Sequence, residues 1–145
     1  MRRELTLPVQ DNMADLARVI GECNDFFEAG SLPASILYRV NLVLEEILTN
    51  IVKYAFDDRL PHEITLWIGL SDTELRLRFT DNGREFDPTL APPPEMKTDI
   101  LECKEGGLGI HLVRQHADSL RYSRQEGRNV LTAGFGLEAF RSSIP

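Results

Sequence analysis

"EEILTNIVKYAF", residues 45–56, is the stretch on which the fold reading turns. Ile47, Leu48, Ile51, Val52, Ala55 and Phe56 recur at helical spacing and form the apolar side of an amphipathic helix. Glu46 and Asn50 stand four apart within it, and Lys53 follows three residues later. At about 100° per residue, Asn50 lies roughly 40° from Glu46 and Lys53 roughly 20° to the other side. All three therefore project from one narrow strip. A solvated face carrying an ordinary i,i+4 pair explains that strip by itself. The strip also borders Ile47, where the helix meets whatever it packs on, so a polar cleft is the other reading.

Working outward, Ile36, Val40 and Leu44 extend the same periodicity upstream, and Pro33 suits the first turn, so the helix should run from about 33 to 56. Before it, Leu5, Leu7 and Val9 alternate as a short strand. Asp11 or Asn12 can cap a helix over residues 13 to 29, with Met13, Leu16, Ile20, Cys23 and Phe27 as its stripe and Gly30 as its end. Downstream, "HEITLWIGL" and "LRLRFT" alternate on either side of "SDTE" and predict an antiparallel hairpin. "LGIHLVRQHAD" returns to helix, and "LRYSRQEGRNVLTAGFGLE" predicts a last hairpin turning at "EGR". The Pro-rich stretch between, residues 84 to 107, is longer than ordinary connections and reads as a lid that a bound ligand should order. The expected architecture is a single α+β domain over residues 1–145, a mixed, mostly antiparallel sheet covered on one face by three helices.

Composition narrows the function. A chain of 145 residues can bury one sizeable core. A net charge of -7 and a pI near 5.0 speak against a general nucleic-acid binder, which needs clustered Lys and Arg. No apolar run reaches membrane-span length, and "MRRELTLPVQD" lacks the apolar centre of a signal peptide, so no membrane and a cytoplasmic location are expected. Cys23 and Cys103 have no metal-ligand spacing and read as two reduced thiols.

Two further motifs join the strip. "TDNGREFDP", residues 80–88, begins like a hairpin turn, but the chain does not resume as a strand. Asp81, held at a strand end with Gly83 permitting close backbone approach, suits an acceptor for an exocyclic amine such as that of adenine. In "EGGLGIHLVRQ", residues 105–115, Gly106, Gly107 and Gly109 lead into a helix whose apolar positions start at Leu108. Free backbone N–H groups and the positive helix end suit phosphate, and a flexible hinge is the alternative. There is no Gly-Lys-Ser/Thr of a Walker loop, and no buried strand precedes it as in a Rossmann turn.

In this order, "EILTNIVKYAF", "DNGREFDP" and "GLGIHLV" resemble the N, G1 and G2 boxes of the GHKL (HATPase) superfamily of ATP-binding domains. The sequence is most similar to the bacterial anti-sigma-factor serine/threonine kinases. The resemblance implies a Bergerat-type two-layer α/β sandwich that binds ATP with Mg²⁺. It implies Glu46 as general base, Asn50 as the Mg²⁺ ligand, and Asp81 with Gly83 at the adenine. Gly107, Leu108 and Gly109 would lie at the phosphates, with Lys53 in reach of one. Its partners would be an anti-sigma-antagonist (STAS-type) protein phosphorylated on serine and a sigma factor held in competition, in a homodimeric assembly. One departure is Glu105, beside Lys104, where some members carry Arg before the glycines; this bears on transfer rate more than on binding. The competing reading is a nucleotide-gated binding module with little or no transfer. A detached histidine-kinase half is disfavoured, because His62, His111 and His116 lie within or after the core.

Overall fold

The computed structural model describes residues 3–56, 61–90 and 107–137. Strand β1 (Arg3–Val9) leads to helix α1 (Met13–Ala29) and helix α2 (Ala34–Tyr54). Strands β2 (Ile64–Leu70) and β3 (Glu74–Asp81) form the first hairpin, followed by a 3₁₀ turn at Pro88–Leu90. Helix α3 (Gly107–His116) precedes the second hairpin, β4 (Ser119–Gln125) and β5 (Arg128–Gly136). The five strands are ordered β1-β2-β3-β5-β4. All four pairings are antiparallel, so the expected mixed character is absent among the described strands.

Alternation sorts the sheet into two faces. Leu5, Ile68, Leu77, Ala133 and Leu120 form one cross-strand row and join the core under the helices. The neighbouring row, Thr6, Trp67, Arg78, Thr132 and Arg121, lies on the other face, where Arg78 stacks over Trp67 at 4.6 Å. Only the first face is apolar enough to hold helices. On α2 the expected Ile36, Val40, Leu44, Ile47, Leu48 and Ile51 are buried, joined by Val43, while Val52 and, just past its end, Ala55 and Phe56 are only partly buried against the core.

The helix ends refine the sequence reading. Asn12 is the cap of α1, its carboxamide oxygen accepting from the Asp15 N–H at 2.8 Å. Met13 is 52% exposed and leaves the expected stripe, where Val19 is fully buried instead. Pro33 is the residue before the first turn of α2 rather than part of it. Gly30 follows α1 in ordinary right-handed geometry, and Ser31 makes the left-handed step with φ 58°. At Gly30 a Cβ would come within 2.6 Å of Leu70 Cδ2, so the Leu70 side chain would have to shift to admit one. The last hairpin turns at Glu126 and Gly127, both at positive φ, as a two-residue turn of matching twist requires. Of the expected lid, residues 84–90 are described, and 91–106, with Cys103, Lys104 and Glu105, lie outside the described residues.

Candidate functional site

A cavity of about 220 Å³ opens between α2, the ends of β3 and β5, the Arg84–Pro88 segment and Ile110 of α3. At one end lies Asp81, the last residue of β3 and only 5% exposed. Its Oδ1 accepts from the Gly83 N–H at 2.9 Å and from the Asn129 amide at 3.0 Å. Burial pushes the Asp81 carboxyl above the usual carboxylate range, opposed by these two donors and by the charge of Arg124. Asn129 is itself buried, and its Oδ1 accepts from Tyr122 at 2.6 Å, Arg124 at 3.1 Å and the Phe86 N–H at 3.3 Å. Arg124 also donates to the Gly83 carbonyl at 2.8 Å. Asn82 points away from the cavity, pairing with the Glu63 N–H at 2.8 Å and the Pro61 carbonyl at 3.0 Å. The Asp-Asn-Gly turn is thus pinned from both sides.

The other end is built differently. Asn50 lines the cavity from α2, and its Nδ2 is buried without a hydrogen-bond partner among the described residues. Glu46, one turn earlier, lays its carboxylate over the first turn of α3. A Cβ on Gly109 would collide with Glu46 Oε2 and come within 3.8 Å of Asn50 Nδ2. Glu46, Asn50 and Gly109, at the N-terminal turn of α3, therefore share one small space. An unpaired buried amide is costly, and native structures keep one where something else satisfies it.

A family model described as the histidine kinase-like ATPase domain matches residues 9–135. The chain belongs to that family. Among curated relatives, serine/threonine-protein kinase BtrW of Bordetella bronchiseptica is 34% identical over 99 residues, covering 68% of this chain and 70% of its own length. Serine-protein kinase RsbW of Listeria innocua is 30% identical over 96 residues, 63% of this chain and 61% of that protein. The matched region thus spans less than two thirds of the RsbW relative. Among solved structures, the RsbU and RsbW domains of Rv1364c from Mycobacterium tuberculosis superpose with a TM-score of 0.65 over 91% of this chain and 32% of that one, at 12% identity, which is a likeness of fold.

As a histidine kinase-like ATPase domain, the chain brings together most residues that the sequence singled out. Glu46, Asn50 and Gly109 meet at one end of the cavity, and Asp81 stands at the other. Gly107 and Leu108 open α3. Lys53 stays outside: its side chain is exposed in the last turn of α2, where a cation complements the helix end, and Tyr54 and Ala55 form the cavity wall. The space spared at Gly83 is taken by the protein itself, because a Cβ would lie 2.5 Å from the Ala55 carbonyl and 2.9 Å from Asp81 Oδ1. The Arg84 N–H then donates to that same Ala55 carbonyl at 3.0 Å, tying the turn to the end of α2. Sequence reasoning missed Asn129, Tyr122 and Arg124. Their only local signal is "RYSRQEGRN", which reads as an unremarkable hairpin.

Proposed function

We propose that this chain is an ATP-dependent serine/threonine protein kinase of the anti-sigma-factor type. Its substrate would be a serine on an anti-sigma-antagonist (STAS-type) protein, with a sigma factor as the sequestered second partner. The observation that carries the reading is the Asn50 amide nitrogen, without a partner among the described residues, beside Glu46 and Gly109, across one cavity from a buried carboxylate. The kinase names of the relatives support it.

The residues fit Mg²⁺ and a triphosphate. A half-turn of the Asn50 amide exchanges Nδ2 for Oδ1 at the orphaned position and offers a hard oxygen ligand. When bound, Mg²⁺ supplies charge neutralisation of the phosphates. Gly109 lets Glu46 lie against the first turn of α3, whose backbone N–H groups and helix end suit a phosphate. Asp81 accepts from the exocyclic amine of the base, between apolar walls that include Ile51 and Phe79. Glu46 would receive the proton of the attacking seryl hydroxyl as the serine oxygen bonds to the γ-phosphorus and the bond from that phosphorus to the β,γ-bridging oxygen breaks, releasing ADP.

The test is incubation with labelled ATP and each antagonist-like domain from the same source, with mapping of the labelled residue. Transfer to a serine of one such domain is expected. ATP binding without transfer to any of them would favour the nucleotide-gated binding module instead.

A further inference from the structure

Asn129 faces Asp81 directly across the β3–β5 ladder, although the two are 48 residues apart in sequence. Three donors converge on its Oδ1, from Tyr122, Arg124 and the Phe86 backbone. Turning the amide over would set an NH₂ group against those three donors, so the orientation is fixed by its surroundings. Nδ2 is consequently aimed at Asp81 Oδ1, 3.0 Å away, and at the Arg84 carbonyl, 2.7 Å away. Asp81 Oδ1 already takes the Gly83 N–H, so it is saturated and the carboxylate is held against rotation. Oδ2 is the oxygen left to the cavity.

We propose that Asn129, braced by Tyr122 and Arg124, is the positioning residue that makes this site select a 6-aminopurine nucleotide over a 6-oxopurine one. The proposal rests on the nucleotide-site reading above. With Oδ1 saturated by donors, Asp81 presents a single ionised acceptor, which a 6-amino group satisfies. A 6-oxo group would bring its lone pairs against that oxygen. Without the brace, the carboxylate is free to turn and easier to protonate. A proton on Oδ2 converts the acceptor into a donor that welcomes a 6-oxo group. The other titratable or charged residues lining the cavity with Asp81 are Arg84 from the following loop, Tyr54 from α2 and Tyr122 from β4, and the charge of Arg124 also acts on Asp81. None of them is a second carboxylate that could take over the ionised acceptor role.

Calorimetric affinities for Mg-ATP and Mg-GTP, measured on the parent, Asn129→Ala and Tyr122→Phe, test this. A general loosening of the site would weaken both nucleotides in parallel, whereas loss of positioning changes their ratio. Asn129→Ala should lower the ATP-over-GTP preference by about tenfold, the worth of one charge-assisted hydrogen bond's alignment. Tyr122→Phe keeps the ring, removes one donor, and should lower the preference several-fold, so it decides the matter if Asn129→Ala does not fold. An unchanged ratio in a folded variant that still binds ATP overturns the proposal and leaves the nucleotide site standing. A parent that binds neither nucleotide overturns the site reading and the proposal with it.

Discussion

The two ends of the cavity contrast in how their polar groups are satisfied. At the Asp81 end, Asp81 Oδ1 and both polar atoms of Asn129 have partners, supplied by β3, β4, β5 and the following loop. At the Glu46 end, a buried amide nitrogen of Asn50 has none among the described residues, and the Glu46 carboxylate lies in the space that Gly109 keeps clear of a side chain of its own. Among the described residues the first end is finished by the protein, and under the proposed function the second would be completed by the bound nucleotide. Under the proposed function, such a site would hold its reading group rigid and keep its reactive groups available, the division of labour that nucleotide selection and phosphoryl transfer require.

Variants at the open end should lose function and keep stability. Glu46→Gln preserves shape but cannot take a proton, so single-turnover transfer should fall by about 10²–10⁴-fold, nearer the lower figure for a dissociative transition state. Its ATP affinity should stay near the parent's; transfer at the parent rate would remove Glu46 from the role of base. Asn50→Ala should lose metal-dependent nucleotide affinity and transfer together by roughly 100-fold or more, since even outer-shell partners of a metal ligand are worth 10–100-fold. Its melting temperature should not drop, because the buried Nδ2 it removes has no partner among the described residues to leave behind. A melting temperature well below the parent's would break the contrast between the two ends.

At the finished end the expected losses are smaller in function and larger in stability. Asp81→Asn places a donor where the exocyclic amine donates, and ATP affinity should fall about ten- to a hundredfold. Asn129→Ala leaves Asp81, Tyr122 and Arg124 short of partners, and chemical denaturation should register a loss of about 1–3 kcal/mol. The smallest effect is the pH dependence of Asp81. Burial raises its folded pKa above the unfolded value, so the native state holds the proton more tightly than the unfolded chain. Apo stability should therefore fall slightly as pH rises through the window between those values, and ATP affinity should fall as pH drops through the folded pKa. In Asp81→Asn both dependences should flatten. A parent whose ATP affinity stays level across that acid window would show that Asp81 ionisation does not govern base binding.

The sequence by itself determined the elements and their faces. Helix α2 was legible because its apolar residues recur with the helix period over five turns, and the two hairpins because strict alternation flanks short polar turns. Those signals are local, and so were the strip of Glu46 and Asn50, the Asp-Asn-Gly turn and the glycines before α3. Tertiary structure alone decided what these groups face. Asn129 reaches Asp81 only because β5 inserts between β3 and β4, a choice of strand order that no local pattern records. Lys53 shares a strip with Glu46 and Asn50 yet lies outside the cavity, because the turn after β3 packs on the end of α2 and closes the wall at Tyr54 and Ala55. Gly83 is a small residue for the sake of that same packing. Periodicity tells which side of an element is buried; which buried polar groups meet there depends on contacts between segments distant in sequence, and those are set by the packing of the whole sheet against its helices.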